Sequence, residues 1–241
     1  MKFLYRISNN SYNKSKLANA SKEACFINFI KNLLLPSDTL YVIADNVNEE
    51  LRNFLKSNLP INGHLIEANT GSNGACFRLQ LSLADQIPDN EIVFLHEDDY
   101  LYRPHAVDTE DFKLNNLLIR EGLERSDYVS LYDHPDKYLS PREGGNPLIS
   151  IEGVEYTGIF LTAHSHWKYT NSTTLTFAAK KETLIEDRVT WLKHCSGRHP
   201  NDFDAFLELG KQGRRLATCI PGNASNTEPP WLTPLYNWEK I

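Results

Sequence analysis

Ile92-Val93-Phe94-Leu95-His96-Glu97-Asp98-Asp99-Tyr100 joins a short apolar run directly to three consecutive acids. The apolar part reads as a buried β-strand. No turn chemistry asks for three carboxylates immediately after such a strand. Hard divalent cations such as Mg²⁺ and Mn²⁺ take carboxylate oxygens and leave coordination positions for substrate phosphates. Acids at a strand end are therefore well placed to hold a diphosphate through a metal, which offsets charge on a departing phosphate. A solvated acidic loop is the plain alternative, and the company the cluster keeps counts against it.

Upstream, strands and helices alternate. Phe3 to Ser8 reads as a first strand, Ser21 to Leu35 as a helix with an apolar face, and Leu40 to Ala44 as a buried second strand followed at once by Asp45. Asn48 to Ser57 reads as a short helix, His64 to Glu67 as a third strand, and Asn73 to Ala84 as a helix entered through Gly71 and Gly74. Strands joined by helices of this length imply an α/β fold with a mostly parallel, Rossmann-like sheet between helices. Ligands bind outside the carboxyl ends of such strands, where Ser8, Asp45, residues 69–74 and Glu97 to Asp99 fall.

After position 100 the pattern loosens. We expect a helix around Asp111 to Glu124, a strand at Tyr128 to Leu131, and a Gly- and Pro-containing loop from His134 to Pro147. A strand pair across Ile149 to Thr162 and Thr174 to Ala179 follows, forming a second, smaller sheet. Helices from Lys181 to His194 and Asn201 to Gly213 come next, then an irregular cover from Pro221 to Ile241. The expected organisation is one domain over 1–241, with a ligand-binding half at 1–102 and a specificity half at 103–241.

Composition narrows the function. The 241 residues are 41% hydrophobic and 23% charged, as in an ordinary globular protein. A net charge of -6 argues against nucleic-acid partners. No apolar run approaches the roughly 18 to 20 residues that cross a bilayer, and Lys2 and Arg6 interrupt any signal-peptide core. Cys25, Cys76, Cys195 and Cys219 stand far apart, which suits reduced thiols in a cytoplasm. There is no Walker-type loop, no Gly-x-Gly-x-x-Gly after the first strand and no Gly-x-Ser-x-Gly elbow.

Glu97-Asp98-Asp99 resembles the Asp-x-Asp motif of the GT-A fold glycosyltransferases, especially the inverting family 2 type, with Glu in place of the first Asp. Asn73-Gly74 with Arg78 is similar to that family's Asn-x-Gly helix motif. The resemblance covers Phe3 to about Tyr102. It implies a nucleotide-diphosphate sugar as donor, with a UDP-sugar favoured, a glycan or other hydroxyl as acceptor, and Mn²⁺ or Mg²⁺ as cofactor. Glu97 and Asp98 then lie near ribose and phosphates, Asp99 is the main metal ligand, and Asp45 with Arg6 to Ser8 meets the base.

Thr176 to Glu182, and later Asn201 to Leu216, look like the family's acceptor-side segment. Its usual Glu-Asp pair is here Asn201-Asp202, making Asp202 the expected general base and Asp204 its reserve. Asn201 is also a good N-cap, with Asp202 and Asp204 suiting the helix dipole, and both readings can hold. Glu186-Asp187 reads as a solvated face in mid-helix. His166 and Trp167 are either ordinary strand residues or the lining of an acceptor pocket, where a ring stacks on a sugar. A nucleotidyltransferase on a related sheet, or a non-catalytic sugar-binding module, are the competing readings.

Overall fold

The computed structural model of the protein describes residues 1–9, 14–146 and 156–241. Four parallel strands carry the part that positions the site. Strand β1 (Lys2–Ser8) lies between β2 (Thr39–Asp45) and β4 (Ile92–His96), with β3 (Gly63–Ala68) outside β2. Helices α1 (Lys22–Asn32), α2 (Glu49–Asn58) and α3 (Asn73–Ala84) connect them. Each opens on a capping side chain: Ser21, Asn48 and Ser72 accept the backbone N–H of Ala24, Leu51 and Ala75. These caps satisfy donors that a first turn leaves open.

Both faces of the sheet are covered, so its strands read as nearly continuous apolar runs. Along β1, Phe3, Tyr5 and Ile7 join the layer containing Phe26 and Phe29, while Leu4 joins the layer of Phe77 and Leu81. His96 belongs to the first layer. Its ring stacks on Tyr5 at 4.6 Å between centroids and its Nε2 meets the Tyr102 hydroxyl at 2.8 Å. Burial pushes its pKa down to about 3, so this histidine before the acids is a neutral core residue.

Beyond β4 the sheet changes character. Strand β9 (Phe177–Lys180) runs antiparallel between β4 and β6 (Tyr128–Ser130), and β10 (Leu216–Ile220) is parallel to β6. Antiparallel β8 (His166–Thr170) and β7 (Ile159–Leu161) complete this sheet among the described residues. A small second sheet pairs β5 (Tyr100–Tyr102) with β11 (Ala224–Asn226). Helices α4 (Leu114–Gly122), α5 (Lys181–Glu186), α6 (Arg188–His194) and α7 (Asp202–Lys211) belong to this half. No helix among the described residues is long and apolar enough to cross a membrane.

Three expectations are corrected here. The helix over Lys181 to His194 is two helices, broken at Asp187. Asp187 is buried rather than solvated, taking the Tyr128 hydroxyl at 2.7 Å and Arg214 Nε at 3.0 Å. Glu186 alone of that pair is exposed, and it also holds Arg214. The strand expected at Thr174 to Ala179 does not pair with the one ending near Thr162: β7 pairs with β8, and β9 enters the main sheet. The expected strand and loop positions over 147–155 lie outside the described residues.

Candidate active site

A cleft of about 550 Å³ opens at the carboxyl ends of β1, β2 and β4. Each acid after β4 meets a base from another element. Glu97 accepts from the Arg6 guanidinium, which also donates to the Asn73 carbonyl at 3.0 Å. Burial pushes the Glu97 carboxyl up to about 8; Arg6 works against that, while Asp99, Asp202 and Asp98 reinforce it. Asp98 accepts from Lys22 Nζ at 2.6 Å and from the Ser8 backbone N–H at 3.0 Å. Asp99 Oδ2 accepts from Lys16 Nζ at 3.2 Å. The other oxygen, Asp99 Oδ1, is buried without a hydrogen-bond partner among the described residues.

Asp45 closes the cleft at the end of β2. Its carboxylate takes the Thr70 backbone N–H at 2.7 Å, the Thr70 hydroxyl at 2.5 Å and Asn46 Nδ2 at 3.0 Å. Asn46 makes this turn in the left-handed region, at φ 54°, a conformation asparagine tolerates better than most residues. Asn73 lines the cleft and Gly74 lies beneath the wall. A Cβ at Gly74 would stand 2.1 Å from the Gly197 carbonyl oxygen, and the Gly74 N–H donates to the Arg198 carbonyl at 2.8 Å. That close approach holds Arg198 and His199 in the cleft wall. Arg78 is not part of the wall: it donates to the Cys195 carbonyl at 2.6 Å and anchors the same loop.

Asp202, in the first turn of α7, accepts the Leu175 backbone N–H at 3.2 Å. It lies near enough to Glu97 for its charge to raise the Glu97 pKa. Burial raises the Asp202 pKa in turn, opposed by backbone N–H groups and by His134. Leu175 and Thr174 are consecutive left-handed residues, at φ 57° and 44°, and neither is glycine. For a β-branched residue this costs energy, and such outliers gather at functional sites. The Tyr100 hydroxyl holds the turn through Thr173 and Thr174, and Thr176 Oγ1 accepts the Glu97 N–H at 3.3 Å.

Asp204 is exposed and bound to Asn201 Nδ2 at 2.5 Å, so it completes the helix cap rather than facing the cleft. His166 and Trp167 are corrected more sharply. Both lie on β8, separated from β1 by β4, β9, β6 and β10. Trp167 is fully buried, stacked on Phe160 with its Nε1 donating to Thr162 Oγ1 at 2.9 Å. His166 is exposed on the same strand, away from the cleft wall.

Lys14, Lys16, Lys22, Arg198, His199 and Glu228 line the cleft without having been anticipated. Lys14 Nζ reaches Glu228 at 2.7 Å, and the Thr227 N–H donates to the Asp99 carbonyl at 3.1 Å. Only the position of Lys14 and Lys16 soon after the first strand hinted at this. On the far side, His134 lies between Tyr132 and Trp231, with centroids 5.0 and 5.3 Å away. Among the described residues no group of three or more His, Cys, Asp or Glu side chains is arranged to hold a metal by itself.

No protein-family model matches the sequence, and no curated protein matches it. Solved structures do. A structure of GalNAc-T7 with UDP, GalNAc and Mn²⁺ superposes with a TM-score of 0.55 at 9% identity, over 92% of this chain and 42% of that one. The galactosyltransferase LgtC, solved with donor and acceptor sugar analogs, gives 0.47 at 11% identity, over 90% and 73%. A 4-diphosphocytidyl-2C-methyl-D-erythritol synthase from Anaerococcus prevotii gives 0.47 at 10%, over 92% and 88%. At 9% identity, the likeness to GalNAc-T7 is one of fold. With its large, mostly parallel sheet, its small second sheet and this likeness, the chain has the Rossmann-like GT-A fold.

Proposed function

We propose that the chain is a glycosyltransferase that moves a sugar from a nucleoside-diphosphate sugar to a hydroxyl acceptor. One observation carries the reading: Asp45, Glu97, Asp98 and Asp99 line one cleft at the carboxyl ends of β2 and β4, together with Arg6, Lys16 and Lys22. That mixture suits a ribose and a diphosphate better than a neutral ligand. Asp45 and the end of β1 are assigned to the nucleoside, and Glu97 and Asp98 to ribose and phosphate. A UDP-sugar is favoured, in keeping with the UDP bound by GalNAc-T7.

The residues fit a divalent cation. Mg²⁺-like ions in nucleotide sites use one or two carboxylates and fill the remaining positions with phosphate oxygens and water. A site of that kind needs no group of three protein ligands. Asp99, whose buried Oδ1 has no partner, is the residue assigned to hold Mn²⁺ or Mg²⁺. When bound, the metal offsets the negative charge of the departing diphosphate.

The protein's own part is positional and acid–base. Asp202 takes the proton of the acceptor hydroxyl as that oxygen attacks the anomeric carbon, in one displacement with inversion. Its raised pKa brings it nearer the working pH and makes it a stronger base than an exposed aspartate. Arg6 holds Glu97 in the cleft wall through its guanidinium. The test is calorimetry with UDP, GDP and CDP, with and without Mn²⁺, on wild type and Asp99→Ala. Metal-dependent binding of one diphosphate, lost in the variant, is expected; no binding under any condition refutes the donor site. Free nucleoside diphosphate as product separates sugar transfer from nucleotidyl transfer, which releases pyrophosphate.

A further inference from the structure

Resting on that reading of Asp99, we propose that Lys16 is a resident cation. Its ammonium holds the metal-binding carboxylate while the cleft is empty and moves to the donor diphosphate when metal and nucleotide arrive.

Three observations carry this. First, Lys16 Nζ stands 3.2 Å from Asp99 Oδ2, on the carboxylate whose other oxygen has no partner. Second, the lysines of the cleft are anchored differently. Lys22 sits on α1 and donates to both the Ser8 carbonyl and Asp98. Residues 14–17 form neither helix nor strand, and from them Lys14 and Lys16 reach Glu228 and Asp99. Third, among the described residues five basic ones (Arg6, Lys14, Lys16, Lys22, Arg198) and five acidic ones (Asp45, Glu97, Asp98, Asp99, Glu228) line the cleft.

Counted formally, the side chains of the cleft are thus close to balance in charge. A nucleoside diphosphate entering alone would bring its negative charge against the acids, and a divalent cation entering alone would compete with Lys16 for Asp99. Entering together they nearly cancel, and a simple exchange of partners serves both. Asp99 would hold the metal, and the Lys16 ammonium would donate to a phosphate oxygen. Lysine suits the role because it is a point charge with three donors on a flexible stem, able to change partners without moving the backbone.

The experiment titrates Mn²⁺ alone, and then UDP, GDP and CDP in saturating Mn²⁺, into wild type, Lys16→Met, Lys16→Arg, and Lys16→Met combined with Asp99→Ala. Lys16→Met is expected to bind Mn²⁺ alone about tenfold more tightly and the nucleoside diphosphate about tenfold more weakly. Lys16→Arg keeps nucleotide affinity within about threefold, since it retains charge and donors. In the Asp99→Ala background the gain in Mn²⁺ affinity disappears. Unchanged or weaker Mn²⁺ binding by Lys16→Met overturns the resident-cation role, and unchanged nucleotide binding overturns the transfer to phosphate. Melting temperatures near wild type confirm that each variant is folded. If wild type binds none of the three nucleotides, the donor-site reading itself fails, and this inference with it.

Discussion

The two ends of the main sheet reach the site in different ways. From β3 to β4 the strands are parallel, and three of them bring side chains to the cleft at their carboxyl ends: Ser8 ending β1, Asp45 ending β2, Glu97 to Asp99 just after β4. From β9 onward the strands are mixed: Glu228 lines the cleft, while the Thr174–Leu175 turn holds Asp202, in the first turn of α7, near Glu97 but outside the cleft wall. One end supplies the groups assigned to the donor, at strand ends. The other supplies the group assigned to proton transfer, held by a costly turn.

The sharpest way to break this comparison is Asp202→Asn. Turnover should fall about a hundredfold to ten thousandfold, with nucleoside-diphosphate affinity, read by calorimetry, unchanged. Equal loss of both would make Asp202 part of the donor site. The same residue sets a pH limit. Burial raises its pKa, and the base acts only when ionised, so kcat should rise with pH through a value above the ordinary aspartate range. That limb should vanish in Asp202→Asn.

Next in size is Trp167→Ala, which should cost about 3–5 kcal/mol of stability in a denaturant titration while leaving the KM for acceptor unchanged. A raised acceptor KM in folded protein would restore the stacking role denied to this buried ring. Gly74→Ala is smaller. Its methyl meets the Gly197 carbonyl, so we expect a loss of about 1–3 kcal/mol together with weaker nucleotide binding, because the displaced loop carries Arg198 and His199. Smallest is Asp204→Asn, where turnover should stay within about twofold, the residue having only a cap to lose.

The same contrast explains what the sequence made legible. Periodicity is local, and both ends of α3 could be read because Gly71 and Gly74 mark its entry and the apolar pattern stops at Ala84. Asp45 and the acid cluster followed from strand ends alone. Strand β5 went unread because its partner, β11, lies more than a hundred residues away and its three residues carry no period. The break at Asp187 was hidden because its cause is tertiary: Tyr128, Arg214 and a buried carboxylate. Lys16 and Lys22 look like ordinary surface lysines until the fold turns them onto Asp99 and Asp98. Trp167 misled for the opposite reason, since a histidine–tryptophan pair on a strand does not say which strand neighbours it will have.

The insertion of β9 between β4 and β6 bears on anyone who would recombine this protein with another. A cut near residue 102 looks natural in sequence, yet it strips β4 of the partner it acquires some eighty positions later. The truncated piece would present a bare apolar edge, ready to pair with its own copies. A chimaera that keeps the cleft at the ends of β1, β2 and β4 should therefore carry Phe177–Lys180 along with the first hundred residues. The transferable cassette is discontinuous, and the border between the halves lies within the sheet rather than along the chain.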